Sequence, residues 1–131
     1  MLTLLMLCLS CERVSRARQC SNLAETVNAA MLKIDGEAKS VGARRFENSA
    51  KLYAALAGDL GPMEFNDRQM ALDVESFRRE LQGAAKLCEQ LAHAQRSNEL
   101  AQAALLGRDL EALQAPMKAS AYKLNTWCTA P

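Results

Sequence analysis

The sequence predicts an all-α protein: an antiparallel up-down-up-down four-helix bundle after an N-terminal signal-like segment. Three observations carry this. Ala, Leu, Glu, Gln and Arg dominate while Val and Ile are scarce, a bias toward helix over strand. Apolar residues recur at steps of three and four from Cys20 onward, in runs that change phase. Short breaks divide the runs, at Asp35-Gly36 with Gly42, at Gly61-Pro62 and at Arg96-Ser97-Asn98. Short links between amphipathic helices favour antiparallel neighbours. At 131 residues, 50% hydrophobic and 24% charged, the chain suits one globular domain with a single core. The expected organisation is a signal segment over 1–10, a basic tether over 11–18 and the bundle over 19–131.

The first helix shows its seam in Cys20, Leu23, Val27, Ala30 and Ile34. The second opens at Arg44-Arg45 and carries Phe46, Ser49, Tyr53, Leu56 and Leu60. Gly61-Pro62 stops it, because proline lacks the N–H that a helix interior needs. Asn66 and Asp67 are good N-cap residues for the third helix, and Gln69 stands three after Asn66, as in a capping box. Its seam is Met70, Val74, Phe77, Leu81, Ala84, Cys88 and Leu91. The same phase then lands on Gln95, Asn98 and Gln102, so the seam fails there. A new phase runs through Leu100, Ala103, Leu106, Leu110, Leu113 and Met117. The shift predicts a turn near 96–98 with Ser97 as a cap. No Gly or Pro stands there, so one long helix over 67–115 is the alternative. Pro116 is expected to kink or restart the last segment, which continues through Leu124 to Cys128. Tyr53, Tyr122, Met31, Met70 and Met117 read as core filling, and Trp127 as a core or cap residue.

The N-terminus reads MLTLLMLCLSC. Eight of its first ten residues are apolar. Ten helical residues rise about 15 Å, half the hydrocarbon thickness, so the stretch is too short to span a membrane. It has the length of a signal-peptide apolar core. No Lys or Arg precedes it, and Arg13, Arg16 and Arg18 follow it, a flank that prefers the cytoplasm. An earlier start would supply the missing basic residues. The alternative is an apolar N-terminal helix packed on the domain.

Leu7 to Cys11 resembles the lipobox of bacterial lipoproteins, with a small residue, Ser10, before the cysteine. It departs from that pattern at Cys8, where leucine is usual. The resemblance implies cleavage before Cys11 and lipidation of Cys11. Arg13, Arg16 and Arg18 would then lie against the membrane surface, adding about 1 kcal/mol each over anionic headgroups. More loosely, the early Cys20, the "VNAAMLKID" stretch and the closing "NTWC" resemble small, uncharacterised bacterial lipoprotein-type helical bundles. That resemblance implies no catalytic activity.

With Cys8 in the signal and Cys11 lipidated, Cys20, Cys88 and Cys128 remain, all on apolar seams. Cys20 begins helix one and Cys128 ends helix four, and an up-down-up-down path brings those points to one end. A Cys20–Cys128 disulfide is therefore expected, worth about 4–5 kcal/mol in the chain-entropy description. Cys88 would stay a buried thiol. Three core thiols in a reducing compartment are the alternative. If Cys11 is not lipidated, four cysteines allow three full pairings.

Little points to chemistry. His93 is the one histidine, with Glu89 a helical turn before it, which reads as a solvated surface pair. The Glu-x-x-His of di-iron bundles, Cys-x-x-Cys-His and clustered zinc ligands do not occur. A small-ligand or haem-binding bundle, the haem held by a methionine and His93, is the weakest of the readings. There is no phosphate loop or nucleophile elbow. A net charge of +1 and 5% aromatic residues give no footprint for nucleic acid. Arg44-Arg45, and Arg78-Arg79 beside Glu75 and Glu80, read as solvated faces with local ion pairs. The expectation is a non-enzymatic, exported, lipid-anchored envelope protein without metal or cofactor, its partner a membrane surface. A cytoplasmic helical interaction module is the alternative.

Overall fold

The computed structural model describes the backbone of residues 2–129 and the side chains of residues 15–129. The described chain consists of four α-helices and their links: α1 (Leu2–Glu37), α2 (Ala43–Leu60), α3 (Arg68–Arg96) and α4 (Leu100–Thr129). The backbone is helical through 11–18, the segment expected as a tether, so those residues belong to α1. Residues 1–10 as a signal, Cys11 and Arg13 lie outside the residues whose side chains are described.

Helix α3 is the hub. It packs broadly on α2 and α4, while α1 leans mainly on α2 and touches α4 only slightly. All seven predicted seam residues of α3 are buried, from Met70 to Leu91. Ala85, Ala92 and Ala94 are buried too, because a helix with neighbours on two sides hides a wider face than one seam. The main core joins Leu23, Leu56, Leu60, Val74, Phe77 and Leu124, and a smaller cluster joins Leu91, Ala94 and Leu106.

Contacts sort into two ends. At one, the Asn66 amide donates to Ser15 and the Asn66 N–H to Gln19, while Arg78 Nε donates to the Ala57 carbonyl. At the other, Asn48 donates to the Glu37 carboxylate, and Arg96 pairs with Glu47.

Local chemistry sets the breaks. Asp67, not Asn66, caps α3: its Oδ1 accepts the Met70 N–H at 2.9 Å. Gln69 instead donates to Asp73, so the expected capping box does not form. Gly61 follows α2 and lies beside the Arg78 guanidinium that reaches the Ala57 carbonyl. The turn over 97–99 separates α3 from α4 without glycine. Asn98 takes the left-handed conformation, φ 56°, which asparagine tolerates. The Asn98 N–H then bonds the Gln95 carbonyl and the Glu99 N–H bonds the Ala94 carbonyl, a Schellman pair that ends the helix. The single helix over 67–115 is thereby excluded.

Helix α4 runs through Pro116 without a break. Proline removes the N–H that would bond the Ala112 carbonyl, and both residues face solvent, where water can take that bond. Two expected core residues are exposed. Leu100 is 70% exposed because the first turn of α4 lies past the end of α3. Tyr122 is 72% exposed because it lies two residues, about 200° of helical rotation, from the buried Ser120.

Candidate functional site at the α1–α4 seam

Because α1 and α4 barely touch, hollows open along their shared seam. One end of it is stapled. Cys20 and Cys128 form a disulfide across 108 residues, with Cα atoms 5.6 Å apart, within the ordinary range for a disulfide. Both sulfurs line an apolar groove of about 290 Å³ with Leu23, Val27, Phe77 and Leu124, and Asn28 and Asn125 stand on its rim. Arg16 closes this end. Its guanidinium lies 4.1 Å from the centre of the Trp127 ring and donates to the Trp127 carbonyl. The Arg16 charge thus engages α4. Arg18 is exposed.

The other end holds a smaller, more polar hollow of about 140 Å³ to which all four helices contribute. Ile34 and Asp35 come from α1, Arg45, Phe46, Ser49 and Tyr53 from α2, Cys88 from α3, and Leu110 and Gln114 from α4. Helical periodicity assigns these residues to separate roles: Asp35 to a helix end, Arg45 to a solvated face, Ser49, Tyr53 and Cys88 to seams. Only the tertiary fold brings them together. Cys88 is a free thiol, 1% exposed. Burial pushes its pKa up to about 11, against the opposing pull of the Arg45 charge. Burial also raises the Tyr53 phenol, with smaller contributions from the Cys88 and Asp35 charges. Both groups are therefore protonated and neutral near pH 7.

Elsewhere the polar chemistry is structural. Arg78 and Arg79 both pair with Glu75, as expected of a local ion pair. Glu80 does not join them. One of its oxygens accepts the Ser120 hydroxyl at 2.9 Å across the α3–α4 interface, and the other is buried with no partner. His93 is exposed beside Glu89, Gln90 and Glu99, and no methionine lines that hollow. Among the described residues no group of three or more His, Cys, Asp or Glu side chains is placed to hold a metal ion. No described helix is long and apolar enough to cross a membrane. The chain matches no protein-family profile, no curated protein and no solved structure.

Proposed function

We propose that the protein is a non-enzymatic helical bundle of the bacterial cell envelope, exported, anchored through a lipidated Cys11, and serving a structural or binding role. The observation that carries this is the Cys20–Cys128 disulfide. Disulfides form and persist in oxidising compartments and are rare where thiol reductants are abundant. The support is independent of the N-terminal apolar stretch, because it rests on two residues far from it. Arg18, exposed on the same helix as Cys11, supplies a charge suited to anionic headgroups.

A second reading, a helical interaction module in a reducing compartment, is favoured by Val41 and Leu100, 86% and 70% exposed. One experiment separates the two. Cells expressing the full chain are fed labelled palmitate, and the protein is recovered with its thiols trapped. The envelope reading expects label in the wild type, none in Cys11→Ala, and a linked Cys20–Cys128 peptide. Unlabelled, soluble protein with both cysteines recovered as thiols overturns it.

A further inference from the structure

We propose that the hollow formed by Arg45, Ser49, Tyr53 and Gln114 is a binding site for a short-chain monocarboxylate. This goes beyond the envelope reading and does not depend on export or lipidation. The donor set points to the ligand class. Arg45 presents a planar fork that matches the two oxygens of a carboxylate. Ser49, 8% exposed, presents a hydroxyl, Tyr53 a phenol and Gln114 an amide N–H₂. The ion pairs of the described residues involve Arg78, Arg79 and Arg96, so among those residues Arg45 has no carboxylate partner. Nor do the side chains of Ser49, Tyr53 or Gln114 hydrogen-bond to another described residue. Ser49 is buried, Arg45 and Tyr53 are half-buried and Gln114 is exposed at the rim, so these groups can take their partners from water or from a ligand.

Shape and charge narrow the choice. Phe46, Ile34 and Leu110 form an apolar wall that suits a short alkyl group. The hollow, about 140 Å³, is smaller than pockets that take drug-sized molecules. The neutral thiol of Cys88 and phenol of Tyr53 add no negative charge against an anion. Asp35, exposed at the rim, is the one carboxylate that lines the hollow, and it opposes a second one. The bound anion therefore sits on the Arg45 side, and affinity is held down by Asp35.

That opposition gives the test two arms of opposite sign. The purified, disulfide-bonded full chain is titrated with sodium acetate, propionate or butyrate, and with sodium chloride at matched ionic strength. Two quantities are read: the melting temperature, and the rate at which iodoacetamide modifies Cys88, followed peptide by peptide. A carboxylate is expected to raise the melting temperature and slow Cys88 modification several-fold, saturating in the millimolar range that a ligand of about five heavy atoms allows. Chloride does neither. Arg45→Gln abolishes both effects, and Asp35→Asn tightens apparent binding several-fold. If Arg45→Gln fails to fold, Ser49→Ala with Tyr53→Phe serves in its place and weakens binding. No saturable effect from any of the three acids overturns the proposal. So does an equal effect in the Arg45 variant, or weaker binding in Asp35→Asn, which would mark Asp35 as the internal partner of Arg45.

Discussion

The two halves of the bundle are built from the same helices and packed in different ways. Around the staple, large side chains from every helix meet: Leu23, Leu56, Leu60, Phe77, Leu81 and Leu124. Around Cys88 the seam positions hold Ser49, Tyr53 and the thiol itself, and the adjoining apolar cluster has three buried residues, Leu91, Ala94 and Leu106. Hydrophobic stabilisation scales with apolar area removed from water, at about 25 cal/mol per Å². The stapled half therefore carries most of the stability. The distal half gives up apolar burial and lines a hollow with the Arg45 guanidinium, the Ser49 hydroxyl and the Tyr53 phenol instead. The division is between a half that holds the bundle together and a half equipped to bind.

The comparison is broken most directly by truncating one core residue in each half. Phe77, 2% exposed, packs in the main core, and Phe77→Ala should cost about 3–5 kcal/mol in urea unfolding. Leu106, 7% exposed, belongs to a smaller cluster with two other buried residues, and Leu106→Ala should cost about 2 kcal/mol, the low end for such a change. Equal losses would mean that the distal cluster is as well packed as the stapled one.

The stapled half was far more legible in the sequence than the distal half. Its residues are Leu, Phe, Val and Met at regular spacing, so periodicity alone finds them. Cys20 and Cys128 could be paired because each sat on a seam at opposite ends of the chain's path. Other contacts had no such signal. Arg16 and Trp127 are 111 residues apart, and nothing local distinguishes Arg16 from Arg18. Ala85, Ala92 and Ala94 are buried only because α3 has two neighbours, which no single-helix pattern shows. The polar hollow was the least legible feature. Each of its polar residues has a sufficient local explanation on its own helix, and the site exists only where four helices converge.

The distal half should also impose an alkaline limit on stability. The Cys88 thiol ordinarily titrates near 9 and is raised to about 11 in the fold, mainly by burial. The folded state thus holds this proton more tightly than the unfolded chain. Its contribution is complete below pH 9 and is lost as pH rises from about 9 through about 11. Tyr53, also raised, acts with the same sign. The unfolding free energy from urea titrations across that window should fall by an amount on the order of 1–3 kcal/mol. Cys88→Ala should start lower, from its cavity, and fall less steeply. A slope unchanged in Cys88→Ala would assign the alkaline loss to groups outside the hollow.

The smallest effect belongs to the turn that creates the distal end. Asn98 at φ 56° adopts a conformation that costs alanine about 1–2 kcal/mol and glycine almost nothing. Asn98→Ala should therefore lower stability by about 1 kcal/mol, roughly 4 °C in melting temperature for a domain of this size. Asn98→Gly should stay within a few tenths of a kcal/mol of the wild type. The reason to expect a change in structure as well as stability is that no glycine or proline otherwise interrupts residues 84–106. Alanine at 98 adds helix propensity where the chain now turns, so it favours continuing α3 into α4. The straightened chain could bury its two seams only against a second copy, so Asn98→Ala should also raise the dimer fraction in sedimentation at high concentration. A monomer as stable as the wild type would show that packing across the α3–α4 interface holds the turn without help from Asn98.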